Sequence, residues 1–206
     1  GDEGPNTGGM GSYSPAPIVD TKMAKTILEE IILPTSNGLV AENIDYRGVL
    51  FAGLMITDQG PKLIEYNCRF GDPECQTLMA RLVSDPLELF LATVNGRLDE
   101  LALDWTDESA LTVVLASKGY PGSYKVGAEI KGCKEVDAMR GISVSHSGTS
   151  FKGGKLLSDG GRVLGVTAIA PDLRSAQIRA YEAVGRIDWP GGFFRRDIGW
   201  RALSKS

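Results

Sequence analysis

Cysteine is scarce in this chain. There are three, Cys68, Cys75 and Cys133, and no C-x-x-C pair. An odd, scattered set excludes a disulfide framework and a cysteine zinc site. The expectation is three reduced, largely buried thiols. Histidine is scarcer still: His146 is the only one. It sits in SVSHSGT at an expected strand end and reads as a structural or substrate-edge residue rather than a general base. A surplus of positive charge is also lacking. The formal net charge is −4 and the pI about 5.1. That argues against nucleic acid as a partner, because a phosphate backbone would be repelled. It leaves room for a small phosphorylated ligand, which needs only a few local cations. No apolar run approaches the roughly 18–20 residues of a membrane span, so no membrane partner is expected. There is no signal peptide pattern and no initiator Met. The chain starts directly in GDEGPNTGGMG, which predicts that it begins partway through a larger protein.

What is present is an ordinary globular composition, 42% hydrophobic and 23% charged over 206 residues. That is enough for one large or two small domains. Residues 1–17 are rich in Gly and Pro and read as loop. Apolar pairs recurring every four residues predict a helix over 18–33, ended by Pro34. The apolar stretch 46–57 predicts a central buried strand. DQGP then turns the chain into a returning strand over 62–70. Asp72-Pro73-Glu74 reads as N-cap, N1 and N2 of a helix through Val83, and Asp85-Pro86 starts another that ends near Gly96. Residues 98–108 read as a connector. Strands are expected at 110–116, 128–131, 142–146 and 162–170. A helix over 172–187 should turn Leu173, Ala176, Ile178, Ala180, Ala183 and Val184 to the core. The change of texture puts a domain boundary near residue 105.

Two stretches carry chemistry. In KLIEYNCRFGDPE, residues 62–74, a strand places Glu65, Asn67 and Arg69 on one face and Ile64, Tyr66, Cys68 and Phe70 on the other. Glu65 and Asn67 offer hard oxygen ligands that suit Mg²⁺ or Mn²⁺, with phosphate and water completing the shell. Arg69 is placed to fork onto phosphate oxygens. Gly71 admits a ligand to the backbone, and a helix starting near Pro73 presents N–H groups to an anion. A solvent-facing polar row on an amphipathic strand fits the same alternation, and the helix start after Arg69 favours the ligand reading. Cys68, on the opposite face, is not read as a nucleophile. In GPNTGGMGSYSP, residues 4–15, Gly8, Gly9 and Gly11 let the backbone wrap a ligand, and Asn6 and Thr7 add side-chain hydrogen bonds. The loop matches neither the Walker A nor the G-x-G-x-x-G pattern. A plain flexible linker is the other reading of it. Arg162, after two glycines, is a further candidate facing a cleft, whereas Arg195, Arg196 and Arg201 read as a solvated or tail-docking cluster.

Together, GDEGPNTGGMGSYSPAP and IEYNCRFGDPECQ resemble the signature of the phosphoribosylamine–glycine ligase (glycinamide ribonucleotide synthetase) family of ATP-grasp enzymes. ASKGYPGSY, SHSGT, GGRVLGVTA and RRDIGWRAL resemble its C-terminal domain in order and spacing. The resemblance implies an α+β fold: the C-terminal half of an ATP-grasp domain, an antiparallel sheet with helices, over 1–104, then a small mixed β/α domain over 105–206. It implies ATP-dependent joining of glycine to 5-phosphoribosylamine through glycyl phosphate, in purine biosynthesis. Glu65 and Asn67 would hold Mg²⁺ or Mn²⁺, and Arg69 would steady the transferring phosphoryl group. Asn6, Thr7, Gly8, Gly9, Met10 and Gly11, with Gly71, Asp72, Pro73, Glu74 and Arg162, would line the substrate side. The family's opening α/β domain and its adenine-binding part have no matching positions here, so this chain alone is expected to be inactive. A cytoplasmic location is expected, with an organelle left open, as is fusion to other purine-pathway enzymes. Two alternatives stand beside this reading: a non-catalytic fragment serving as a binding or assembly module, and another ATP-grasp carboxylate–amine ligase.

Overall fold

Ser109–Ser117 and Arg162–Ala170 are the longest and most buried strands among the described residues, and the larger sheet is built around their pairing. The computed structural model describes residues 1 and 3–204. In chain order the elements are β1 (Gly11–Ser14), α1 (Thr21–Ile27), a π-helical turn (Leu28–Ile32), α2 (Leu33–Ala41), β2 (Phe51–Thr57), β3 (Gly60–Asn67), α3 (Glu74–Arg81) and α4 (Pro86–Asn95). A 3₁₀ turn (Leu98–Glu100) leads to β4 (Ser109–Ser117), α5 (Cys133–Asp137), β5 (Ile142–His146), β6 (Thr149–Lys152) and β7 (Lys155–Ser158). The chain closes with β8 (Arg162–Ala170), α6 (Leu173–Val184), β9 (Gly192–Phe194) and α7 (Trp200–Leu203). Antiparallel sheets with helices on them make this an α+β fold. By contacts the chain separates into two units. Unit 1 is Gly1–Ser14, Asp72–Leu82 and Trp105–Ser206; unit 2 is Pro15–Gly71 and Val83–Asp104. Gly1–Ser14 and Asp72–Leu82 thus group with the later part of the chain.

Unit 1 is a five-stranded antiparallel sheet of order β1-β4-β8-β5, with β9 pairing the far end of β4 on the β1 side. Every residue of β4 is buried. Leu111, Val113, Val163, Leu164 and Val166 are fully buried, and each such side chain stabilises the fold by about 1.5–3 kcal/mol. α6 starts on Asp172, whose carboxylate accepts from the Ser175 N–H at 2.8 Å. That bond, then the Ser175 hydroxyl, holds the Asp172 carboxyl below the usual range. The helix turns Ala176, Ala180, Ala183 and Val184 onto the sheet. Ile178 instead is 52% exposed, because two residues past Ala176 is the opposite helix face. The expected strand at 128–131 is reduced to single bridges, Glu129 to Leu157 and Lys131 to Asp188. β1, unexpected inside a Gly-rich loop, is held by its pairing with β4.

In unit 2 the helix does not end at Pro34. It passes through the π-helical turn, where the Leu33 N–H reaches back to the Leu28 carbonyl, and continues to Ala41. Proline cannot donate the next hydrogen bond, and the π turn absorbs the mismatch. The Ile31 carbonyl there accepts from the Thr35 and Tyr66 hydroxyls at 2.8 and 3.2 Å. β2 and β3 form a hairpin with Thr57 opposite Gly60, tighter than the four-residue loop expected. β2 is not a central strand; the pair stands as a two-stranded sheet. A register shift beside Gly53 inserts Ile64 as an extra residue, and Ile64 is 63% exposed. α4 follows the sequence: Asp85 caps its start and Gly96, at φ 65°, its end. Cys133 is buried, Cys75 half-buried and Cys68 exposed, the last because the strand has ended before it. Ala92 is the only buried hydrophobic side chain among the described residues of unit 2.

Between β9 and α7 the Arg195 guanidinium forks onto Asp197, Nε to Oδ1 and Nη2 to Oδ2, both at 3.0 Å. That pairing drives the Asp197 carboxyl far below the usual range.

Two expectations follow. Leu111→Ala should cost about 2–5 kcal/mol in urea unfolding, while Leu63→Ala, at a largely exposed position, should stay within about 0.5 kcal/mol. Because folding depresses the Asp197 pKa, its contribution is present above the unfolded carboxyl value of about 3.9 and is lost as pH falls below it. Asp197→Asn should therefore lower stability by about 1 kcal/mol or less at neutral pH, and thermal unfolding across acid pH should show that gap closing.

Candidate active site

In unit 1, four segments distant in sequence meet at Arg162, the first residue of β8. Its Nη1 donates to the Gly9 carbonyl at 3.0 Å and to the Asp72 carbonyl at 2.6 Å. Its Nη2 pairs with Asp72 Oδ2 at 2.9 Å. Nε–H and one Nη2–H have no partner among the described residues. The Gly8 N–H donates to the Tyr120 hydroxyl at 3.2 Å. A Cβ on Gly9 would lie 2.5 Å from Pro73 Cδ, and one on Gly8 3.1 Å from Arg162 Cζ. Glycine at these positions is what allows the loop to lie against Pro73 and the guanidinium.

Asp72 was expected to cap α3. Instead Pro73 occupies the cap position without a side-chain bond, because the Asp72 carboxylate is taken by Arg162 and by Gln76 Nε2 at 3.2 Å. Gln76 Oε1 is buried with no partner among the described residues. Glu74 is the first residue of α3, and Pro73 is buried. Burial, then the charge of Asp72, pushes the Cys75 thiol up, so it is a poor nucleophile at neutral pH. Thr7 Oγ1 donates to the Gly8 carbonyl at 2.8 Å, and Asn6 is exposed. Met10 is buried, and its carbonyl accepts from the Val114 N–H at 3.0 Å. Thr7, Met10 and Gly11 also line a cavity of about 260 Å³ with Tyr13, Arg195 and Arg201. The arginines expected to be merely solvated thus include two on a cavity wall. Arg196 lies over the Phe194 ring at 5.1 Å. Tyr120 was not singled out from sequence; its only signal was a Gly–Tyr–Pro turn.

In unit 2, β3 places Glu65 and Asn67 side by side. Asn67 Nδ2 donates to Glu65 Oε1 at 2.9 Å. Glu65 lies opposite Gly53, where a Cβ would come within 3.2 Å of Glu65 Cγ, so the glycine gives the carboxylate room. Arg69 lies beyond the end of β3, and its Nη1 donates to the neighbouring Phe70 carbonyl at 2.8 Å. Glu65 and Asn67 are brought together; Arg69 is not part of that pair. Gly71 is buried. His146 ends β5, with Nδ1 at 3.1 Å from the Thr149 hydroxyl. No cluster of three or more His, Cys, Asp or Glu suited to a metal exists among the described residues. A carboxylate beside a carboxamide fits a hard divalent cation that takes few protein ligands, once the Asn67 amide turns its oxygen to the same side. It does not fit zinc. No helix among the described residues is long and apolar enough to cross a membrane.

The phosphoribosylglycinamide synthetase ATP-grasp (A) domain matches residues 1–75, and the C domain of the same synthetase matches residues 110–201. Phosphoribosylamine–glycine ligase of Brucella melitensis biotype 1 is 54% identical over 205 residues, covering 100% of this chain and 48% of its own length. The chloroplastic phosphoribosylamine–glycine ligase of Arabidopsis thaliana is 54% identical, covering 98% of this chain and 39% of its own. The crystal structure of phosphoribosylamine–glycine ligase from Thermotoga maritima superposes with a TM-score of 0.80 at 33% identity, over 96% of this chain and 48% of that one. The chain thus spans about half the length of the curated relatives it matches. On both domain matches and on identity across its whole length, this chain belongs to the phosphoribosylglycinamide synthetase family of the ATP-grasp superfamily.

Proposed function

We propose that the chain supplies the metal-and-phosphoryl wall and part of the acceptor side of a ligase that joins glycine to 5-phosphoribosylamine with ATP. The observation that carries the reading is the convergence of Gly8–Gly9, Asp72–Pro73, Tyr120 and Arg162 within hydrogen-bonding distance in unit 1. A loop held this way keeps backbone dipoles and an arginine in fixed positions, which is how a site orients small charged substrates without moving during reaction. The two unengaged Arg162 N–H groups suit a carboxylate or phosphate oxygen. The Gln76 amide oxygen suits an amine N–H. Arg201 brings a positive charge to the wall of the adjoining cavity, which suits a sugar phosphate, while Arg195 there is paired with Asp197.

In this reading a glycine carboxylate oxygen attacks the γ-phosphorus of ATP and ADP leaves. The phosphoribosylamine nitrogen then attacks the acyl carbon, phosphate leaves, and the nitrogen loses a proton. Glu65 and Asn67 would hold Mg²⁺ or Mn²⁺, which neutralises charge on the phosphates. Arg69 would turn from the Phe70 carbonyl to the transferring phosphoryl group. No protein nucleophile is required, since phosphoryl transfer rests on positioning and charge neutralisation.

In the natural-length protein, ADP release should require both glycine and phosphoribosylamine. Release that does not depend on glycine would contradict the proposal. Glu65→Ala or Asn67→Ala should lower metal affinity or turnover by about 10–100-fold while leaving thermal unfolding nearly unchanged, because both side chains lie outside the core. A metal titration of activity reads the first effect and calorimetry the second.

A further inference from the structure

Between the unit 1 sheet and α3 lies a row of hydroxyls where an apolar core is expected. Ser12 on β1 is opposite Thr112 on β4, which is opposite Thr167 on β8. Thr77 projects from α3. Thr112 is fully buried, and Thr77 and Thr167 are each 2% exposed. Valine has the shape of threonine, and the neighbouring positions of both strands are apolar. Four hydroxyls there require a reason beyond packing.

Their bonds form one chain. Ser12 Oγ donates to the Pro73 carbonyl at 2.9 Å. It lies 2.6 Å from Thr77 Oγ1, which lies 2.8 Å from Thr112 Oγ1, itself 2.8 Å from Thr167 Oγ1. Each hydroxyl has one proton. Ser12 spends its proton on a carbonyl that can only accept, so Thr77 must donate to Ser12, Thr112 to Thr77, and Thr167 to Thr112. The direction of every bond is set by the Pro73 carbonyl, and bonds aligned head to tail strengthen one another in a low-dielectric interior. Pro73 follows Asp72, whose carbonyl and carboxylate both hold Arg162, and the Pro73 ring is what Gly9 lies against.

We propose that Thr167, Thr112, Thr77 and Ser12 form a one-way hydroxyl relay that fixes the Asp72–Pro73 segment, and that Ser12 and Thr77 are positioning residues for the acceptor-substrate side of the site. The functional half of this rests on the ligase reading of Asp72 and Arg162. A relay predicts effects graded by bond order from Pro73, whereas packing alone predicts effects graded by burial.

The test uses the natural-length protein with Ser12→Ala, Thr77→Val, Thr112→Val and Thr167→Val. Ser12→Ala and Thr77→Val should raise the KM for phosphoribosylamine about tenfold while the KM for ATP stays within about twofold. Thr112→Val should fall between, and Thr167→Val should stay within about twofold for both substrates. Thr77→Ser, which keeps the hydroxyl, should restore the KM. Hydrogen exchange at the Glu74 and Cys75 amides should quicken in the same order. Unchanged KM in Ser12→Ala and Thr77→Val, or effects ranked by burial with Thr112 largest, would overturn the relay. If the protein shows no glycine-dependent ligation at all, the ligase reading fails, and the exchange order still decides the relay by itself.

Discussion

The tie between Arg162, Asp72 and Gly9 is the constraint on which the candidate site depends. Its three parts come from a loop near the start of the chain, the approach to α3 and the start of β8, with Gly9 and Arg162 153 positions apart. Nothing local would hold a glycine-rich loop in one conformation, since glycine loses the most entropy on ordering. One guanidinium does so by donating twice to backbone carbonyls and pairing with a carboxylate at the same time. A lysine could not reproduce that planar fork.

The tie can be rigid because β8 is. β4 and β8 are buried along almost their whole length, with α6 bearing small alanines against β4 and β8. Arg162 stands at the first residue of β8, where burial begins to give way, so its backbone is fixed while its side chain remains partly accessible. Unit 2 is built differently. Its hairpin displays Glu65 and Asn67 on a strand with little core of its own, Ala92 being its one buried hydrophobic side chain among the described residues.

Much of this was legible in the sequence where local rules act alone. β5 and β8 fall on the expected residues, and Asp85 and Gly96 bound α4 as caps should. The adjacency of Glu65 and Asn67 followed from strand alternation. What was not legible depended on distant partners. Asp72 has the sequence of an N-cap, but Arg162, 90 residues away, claims its carboxylate. Pro34 has the sequence of a helix stop, but a π turn and the Tyr66 hydroxyl accommodate it. Arg69 continues the alternation on paper, yet the strand ends at Asn67. β1 hides in a loop composition because its order comes from β4. Tyr120 carried only the signal of a Gly–Tyr–Pro turn, since its role arises when the Gly8 amide is beside it.

The most direct test of the central claim is equilibrium binding of glycinamide ribonucleotide, the proposed product, to natural-length protein carrying Arg162→Ala. If the tie shapes the acceptor side, affinity for this ligand should fall by about tenfold or more, the loss of a charge-assisted contact set, with ATP affinity unchanged. Unaltered affinity for glycinamide ribonucleotide in a folded Arg162→Ala protein would contradict the account.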